Sequence, residues 1–332
     1  MNRLVRSAAI AAATAAALGL AAAAHAQTKI AMIGFGGASN LPVWLAIDNG
    51  LFKKQGLDVS LAVTRGSEAQ FKDLMGGKYQ LASTAIDNVI AYAEGQGPVQ
   101  YNDYDVVAFM GVHSGLNSVV GGKDVKTFAD FKGKTLCVDA MATGYAFVLF
   151  DVLEKHGLVM NRDYKVIAVG GGYAREKSLI EGKASGAVLS APSDLSVQAK
   201  GGHIIADAAA ELGGYQGSSY AARRGWIKGH EKEVEGFIKA IVAAHDVIFT
   251  QKPAAIAVLK KRIKNLSDEN AAIIYKSLTT GAGGLNRHAE IKDAGVATVL
   301  KLRSRYAEPK KTLTDPHKYY DMSFYEKATG MK

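Results

Sequence analysis

Apolar and polar positions along this chain follow two alternating patterns. Short apolar or alternating runs that end at glycine or a polar turn are typical of β-strands, and apolar residues three or four apart are typical of helices. The predicted strands cover residues 29–33, 57–64, 79–82, 106–112, 117–121, 135–139, 164–169 and 187–189. The predicted helices between them cover residues 41–49, 67–76, 85–94, 127–131, 143–156, 174–181 and 192–200. Strands that alternate with helices predict an α/β protein with mostly parallel sheets flanked by helices.

The alternation of strands and helices occurs twice, first up to residue 112 and again from residue 117. Beyond about Gly213 the pattern becomes mostly helical. The predicted helices there cover residues 231–249, 253–262, 268–278 and 288–302. A chain of this length is large for one hydrophobic core and natural for two. The sequence therefore predicts two α/β lobes, with no linker rich in proline or serine between the blocks.

The first 26 residues have the features of a cleaved export signal. Arg3 and Arg6 precede an apolar run over residues 7–24, and Ala24-His25-Ala26 has the small-x-small form of a cleavage site. A membrane anchor is the alternative, but the run is mostly alanine and ends in a cleavage site. A lipid tether would need a cysteine at the cut, whereas the only cysteine is Cys137. We predict a periplasmic protein whose signal peptide is cut after Ala26.

Composition excludes several classes of function. The formal charge is +9 at pH 7, and basic residues lie among acidic ones, which indicates an ordinary solvated surface rather than a nucleic-acid partner. The positive excess mildly favours anionic ligands through electrostatic steering. The histidines show no metal-binding spacing, and the chain has neither a cysteine cluster nor a Gly-x-Ser-x-Gly motif. We therefore expect no metal ion and no cofactor.

Small and hydroxyl-bearing residues follow several predicted strands, where open α/β sheets bind their ligands. The loop from Gly34 to Asn40 joins a strand to a helix, and its unpaired N–H groups can hold an anionic or polar group. Ser39 or Asn40 is the expected N-cap of that helix. Similar junctions occur at Ser83-Thr84, Thr143-Gly144-Tyr145 and Ser190. Each alone fits simple helix capping, but four junctions split between two blocks favour a cleft between lobes.

The first loop also has part of a dinucleotide-binding fingerprint, Gly34-x-Gly36-x-x-Ser39. The last glycine of that pattern is missing, and export argues against a nicotinamide cofactor. Among the aromatic residues, Phe35, Trp44, Tyr145 and Tyr215 are candidates to line a flat slot for an organic ligand, with core packing as the alternative. Arg175 is expected on an exposed helix face.

Specific motifs relate the chain to a known family. The run from Pro42 to Val59 contains Ala-x-x-x-Gly-Leu-Phe-x-x-x-Gly-Leu-Asp-Val. Further matching segments are Gly66-Ser67, Leu74-x-x-Gly77, Asp130-Phe131-x-Gly133-Lys134-Thr135 and the tail from Asp315 to Asp321. Together they resemble the NMT1/THI5-like, sulfonate–nitrate–taurine type of periplasmic binding protein, over nearly the whole mature chain.

The resemblance implies a type II periplasmic binding protein fold. Lobe 1 would comprise residues 27–113 plus 214–332 and lobe 2 residues 114–213, with two hinge crossovers and a ligand between the lobes. The protein would be the monomeric binding component of an ABC importer and would deliver its ligand to a membrane permease. By resemblance, the ligand-binding positions are Ser39, Asn40, Ser83, Thr84, Thr143, Gly144, Tyr145, Ser190 and Tyr215.

Two other functions stay open at this point. Enzymes resemble this family: pyrimidine synthases use a histidine, a lysine-linked pyridoxal phosphate and a cysteine-rich segment, and desulfinases carry a nucleophilic cysteine at the first cleft loop. That loop here contains Ser39 and Asn40 without a cysteine, so we predict a binder and not an enzyme. A sensor that presents its ligand to a membrane receptor is the other alternative. The predicted ligand is a small organic anion, a sulfonate or an aromatic or aliphatic carboxylate, rather than inorganic nitrate.

Overall fold

The computed structural model describes residues 27–331. The predicted signal peptide, residues 1–26, lies outside this range. The ten strands are β1 (Thr28–Gly34), β2 (Leu57–Val63), β3 (Leu81–Ala85), β4 (Val106–Gly111), β5 (Ser118–Gly121), β6 (Thr135–Val138), β7 (Lys165–Ala168), β8 (Gly186–Leu189), β9 (His203–Asp207) and β10 (Ser218–Arg223). Within the described residues, no helix combines the length and the apolar character that crossing a bilayer requires.

Fourteen α-helices surround these strands in the described part of the chain. They are α1 (Leu41–Asp48), α2 (Leu51–Lys54), α3 (Ser67–Met75), α4 (Ile86–Ala93), α5 (Gly144–Lys155), α6 (Gly172–Ile180), α7 (Ser193–Ala199), α8 (Ala208–Leu212), α9 (Arg224–Ile227), α10 (Glu231–Thr250), α11 (Lys252–Arg262), α12 (Asp268–Thr280), α13 (Asp293–Tyr306) and α14 (Ser323–Thr329). Short 3-10 turns cover Ala38–Asn40, Phe128–Phe131 and Pro316–Lys318.

The first sheet has the strand order β2-β1-β3-β10-β4. β1 pairs in parallel with β2 and with β3, whereas β10 pairs antiparallel with both β3 and β4. Four strands therefore point the same way and one is reversed. Because parallel strands end at the same edge of a sheet, the loops after β1 and β3 lie side by side.

The second sheet has the same plan, with β5 as its reversed strand between β8 and β9. β6 and β7 form a parallel pair, and the Ser185 N–H donates to the Thr135 carbonyl oxygen over 2.8 Å, which joins this pair to the β8 side. The two sheets are the centres of two lobes, as predicted.

Two chain segments cross between the sheets, one after β4 and one before β10. They run beside each other: the Val112 N–H donates to the Ser218 oxygen and the Gly217 N–H donates to the His113 oxygen, each over 2.9 Å. The His113 Nδ1 also accepts the N–H groups of Gly115 (3.0 Å) and Leu116 (3.2 Å). The crossovers therefore form a hydrogen-bonded hinge rather than two free linkers.

Aromatic packing fixes α10 against the first sheet. The Phe237 ring stacks on Phe52, with centroids 5.2 Å apart, and meets the edges of Tyr220 at 5.1 Å and Phe109 at 6.1 Å. All four side chains are buried. The strand predicted over 106–112 is thus covered by the long helix predicted over 231–249.

Two strands were not predicted, β9 and β10. The chain beyond Gly213 is mostly helical, as predicted, and β10 is the strand in this region that the prediction missed. Its sequence, Ser-Ser-Tyr-Ala-Ala-Arg, has no alternation of apolar and polar positions because most of the strand is buried in the middle of the sheet. β3 also runs through Ser83-Thr84, where a helix start was expected.

Gly186 of the second sheet leaves no room for a side chain, because a phenylalanine ring packs against it. A Cβ at Gly186 would lie 2.3 Å from Cε1 of the buried Phe131 ring. We therefore expect Gly186→Ala to lower the free energy of unfolding by about 1–3 kcal/mol, as overpacking does. Urea unfolding measures this. Gly122→Ala is the control, because its added Cβ would be 3.8 Å from its nearest atoms, and equal stability of the two variants would contradict the prediction.

Candidate functional site

The first candidate loop, between β1 and α1, touches the opposite lobe. The Ala38 N–H donates to the Ala191 carbonyl oxygen over 3.2 Å. At another point along the interface, the backbone of Gly171 approaches that of Arg65, since a Cβ added at Gly171 would lie 3.9 Å from the Arg65 carbonyl oxygen. The carboxyl edges of the two sheets therefore face each other across a narrow, closed cleft.

Asn40 organises this loop. Its side-chain amide donates to the carbonyl oxygens of Phe35 (2.7 Å) and Gly37 (3.2 Å). Asn40 occupies the N-cap position of α1 but makes no capping hydrogen bond, so the expected capping by Ser39 or Asn40 is absent. Phe35 and Ser39 are half-buried beside it, and Trp44 packs partly against the core of the first lobe.

Ser83 and Thr84 lie at the end of β3, next to the first loop. Ser83 is half-buried, and its carbonyl oxygen accepts the Gln70 amide over 3.0 Å. Thr84 is fully buried, and its hydroxyl accepts the Asn88 amide over 3.0 Å. Of these two candidates, Ser83 therefore lies nearer the surface of the cleft.

The candidates at the start of α5 meet the hinge and the first lobe. Thr143 is a true N-cap, which accepts the Ala146 N–H over 3.4 Å, and its hydroxyl donates to Asp139 over 2.6 Å. The Gly144 N–H donates to an Asp87 oxygen over 2.8 Å. Sequence analysis did not identify Asp87, because an acidic residue in the first turn of a helix is common on any protein surface.

Two tyrosines lie at the base of the cleft. The rings of Tyr145 and Tyr215 are 6.4 Å apart. Tyr215 is 3% exposed, and its hydroxyl has no hydrogen-bond partner within residues 27–331. Burial raises the pKa of both phenols, so both are neutral hydrogen-bonding groups at pH 7.

Arg175 is the cation at this interface that sequence analysis placed on an exposed face. It is half-buried, and one guanidinium nitrogen donates to the Val188 oxygen at the end of β8. No carboxylate in residues 27–331 lies within ion-pair distance of it. Burial raises the pKa of the Cys137 thiol to about 12, and the nearby Arg175 charge opposes that shift.

The position of Arg175 in its helix explains this orientation. Arg175 is the fourth residue of α6. Side chains on a helix lean towards its N-terminus, and the N-terminus of α6 lies at the cleft edge. The signal available in the sequence was therefore the triple glycine 170–172, which begins two residues after the end of β7 and is followed within one turn by an arginine.

Carboxylates share this edge with Arg175 and are bonded to hydroxyls. Ser193 donates to Glu176 over 2.7 Å, and Ser118 donates to Asp194 over 3.1 Å. Burial raises the pKa of Asp194. Ser190, the remaining candidate, is half-buried, and its carbonyl oxygen accepts the Ser193 N–H over 2.9 Å. The edge is therefore of mixed charge, and the Arg175 guanidinium there has no ion-pair partner among residues 27–331.

Residues 38–255 match the model of the NMT1/THI5-like family. The chain belongs to this family. One curated relative is "Putative binding protein YtlA" from Bacillus subtilis (strain 168). It is 26% identical over 207 residues, which are 61% of this chain and 60% of that protein. The chain thus spans less than two thirds of the length of this curated relative.

Solved structures share the two-lobed fold. The ligand-binding component of an ABC-type import system from Staphylococcus aureus, solved with zinc bound, superposes with a TM-score of 0.75 at 14% identity over 91% of this chain and 99% of that one. The periplasmic nitrate-binding protein NrtA from Synechocystis PCC 6803 gives 0.72 at 14% identity over 91% and 88%. The described part of this NMT1/THI5-like chain contains no group of three or more His, Cys, Asp or Glu side chains placed to hold a metal ion.

Proposed function

We propose that this protein is the periplasmic solute-binding component of an ABC importer, which captures a small organic anion between its lobes and delivers it to a membrane permease. The observation that carries the proposal is Arg175, a half-buried guanidinium without an ion-pair partner at the lobe interface. A desolvated guanidinium is a strong partner for a carboxylate or sulfonate. Family membership and the import-system component among the similar structures support the same role.

The mixed charge of the cleft edge favours a ligand with a single anionic group, and the aromatic side chains beside it favour an organic body over nitrate. Glu176 and Asp194 lie at the same edge of the sheet as Arg175, so a ligand with one anionic group and a neutral body avoids their repulsion. Half-buried Phe35 and the Tyr145–Tyr215 pair offer apolar surface for that body. Sulfonates and aromatic or aliphatic carboxylates meet these demands.

The hinge supports the proposed lobe boundaries, residues 27–113 plus 214–332 for lobe 1 and 114–213 for lobe 2. Both crossovers fall at these limits and are hydrogen-bonded to each other. Rotation about such a hinge would open the cleft, and ligand would favour the closed form that a permease recognises. This role requires no catalytic step. We place the mature protein in the periplasm as a monomer, after cleavage behind Ala26.

A thermal-shift screen tests the proposed function. Mature protein, residues 27–332, would be unfolded and refolded to remove carried-over ligand and then mixed with methanesulfonate, benzoate, succinate, nitrate, nicotinamide dinucleotide or pyridoxal phosphate. A bound anion at a hundredfold excess over its Kd should stabilise the fold by about 2.7 kcal/mol. We expect an organic anion to give the largest shift. A shift with a cofactor alone would refute the proposal.

A further inference from the structure

The Asp87 carboxylate joins the two lobes. Asp87 is the second residue of α4, on the first sheet, and is 2% exposed. One of its oxygens accepts an Arg303 N–H over 2.8 Å, and the other accepts the Gly144 N–H over 2.8 Å. Gly144 begins α5, on the second sheet. Each oxygen of this carboxylate therefore has a different partner, and one partner is in the opposite lobe.

Arg303 holds Asp87 in place. Its side chain is fully buried, and its Nε donates to the Gln96 side-chain oxygen over 3.0 Å. Its guanidinium also lies 5.4 Å from the ring centre of Phe147, which belongs to α5 of the opposite lobe. A guanidinium fixed by three neighbours leaves the carboxylate little freedom to rotate. Asp87 is thus presented to α5 in a defined position.

The contact between Asp87 and position 144 requires a glycine at that position. A Cβ at this position would lie 2.4 Å from Cγ of Asp87, so no other residue type fits while the contact exists. The Gly144 N–H has no partner within its own helix, and the start of a twelve-residue helix carries partial positive charge. The Asp87 carboxylate supplies the negative charge that this helix start attracts.

We propose that Asp87 is a positioning residue that closes the lobes without ligand, because its carboxylate occupies the start of α5 as a tethered anion. A helix start at the interface between two lobes is where an anion from the opposite lobe stabilises closure. Here the chain carries that anion itself. Opening the cleft requires separation of Asp87 from Gly144, and also of Arg303 from Phe147 and of Arg305 from Asp151 (3.4 Å) on the same helix, whereas the Asp87–Arg303 pair stays intact.

Single-molecule FRET on ligand-free protein tests this inference. Dyes would be attached through Lys72→Cys on α3 and Lys177→Cys on α6, two exposed positions on different lobes, while Cys137 is fully buried and does not label. Refolded protein with the native Asp87 and Gly144 should be mostly in the high-transfer, closed form. Gly144→Ala should lower the closed-to-open ratio by about tenfold or more, because the added methyl group would lie 2.4 Å from Cγ of Asp87 and so does not fit in the closed form.

Matched variants separate closure from stability. Asp87→Asn should also open the lobes, but it leaves Arg303 without its ion pair and needs circular dichroism to verify folding; Gly144→Ala keeps that pair. Glu94→Gln is the first control, since Glu94 ends the same helix, is 6% exposed and pairs with Lys311 over 3.0 Å without a contact to lobe 2. Gly66→Ala, with nothing within 4 Å of the added Cβ, is the second.

Two results would overturn the inference. The first is ligand-free protein that is mostly open with Asp87 and Gly144 intact. The second is a folded Gly144→Ala variant whose closed fraction equals that of Gly66→Ala. Neither readout uses a ligand, so a failed ligand screen and a failed closure test are distinct outcomes.

Discussion

Replacement of Arg175 by methionine is expected to lower the affinity for the captured anion by roughly 10- to 100-fold. A hydrogen bond to a charged group contributes about 1.5–3 kcal/mol, and Arg175 is a guanidinium at the lobe interface without an ion pair in residues 27–331. The start of α5 is already occupied by Asp87, so the proposed anion partner is Arg175 at the cleft edge. Isothermal titration with the organic anion that gives the largest thermal shift measures the change.

The control for this prediction lies on the same helix. Lys177 is two residues further along α6, is exposed, and pairs with Glu181 over 3.7 Å. Lys177→Met should leave the affinity for the anion within about twofold of the unsubstituted protein. Arg175→Lys should have an affinity between those of the unsubstituted protein and Arg175→Met, because lysine keeps the charge but not the planar fork of donors. If Arg175→Met and Lys177→Met bound the anion equally well, the anion would have to contact another part of the cleft.

Acidification from pH 6.5 to pH 4 should remove a large part of the stability of the fold. Burial lowers the pKa of His113 and of His245 to about 4, whereas an unfolded histidine has a pKa near 6.5. In that window the unfolded chain binds protons that the folded chain does not. The stabilising contribution of the two neutral, buried histidines is complete above pH 6.5. It falls by about 1.4 kcal/mol per pH unit for each histidine, or roughly 3 kcal/mol each by pH 4.

Urea unfolding at several values between pH 4 and pH 7.5 measures this slope. His245→Leu should reduce the slope by about half, because one of the two histidines is removed from a fully buried site on α10. His317→Gln, at an exposed position, serves as the control and should leave the slope unchanged. A pH-independent unfolding free energy between pH 6.5 and pH 4.5 would contradict the prediction.

The strand and helix alternation was predictable because it depends on local patterns. The strand predicted at 135–139 and the helix at 143–156 appear as β6 and α5, where Thr143 caps the helix. β10 was not predictable in this way, since its alanines favour helix locally and only insertion between β3 and β4 makes them a strand. Tertiary pairing overrides local propensity there.

The candidate site was predictable as a set of loops but not as a set of contacts. The position of Ser83 at a strand end follows from the pattern, and so does the position of Thr143 before a helix. The partners of Asp87 do not, because Arg303 lies 216 residues further along the chain and Gly144 belongs to the other lobe. Arg175 was missed because periodicity alone cannot distinguish an arginine that leans into a cleft from one in solvent.

The place of β10 in the first sheet also governs the order in which the chain can assemble. β10 spans residues 218–223, yet both of its neighbours end before residue 112. During synthesis, β3 and β4 therefore expose unpaired edges until the chain has grown past Arg223. Pairing over such separations is also slow. A nascent chain consequently cannot complete the sheet of its first lobe until residues 218–223 have been synthesised.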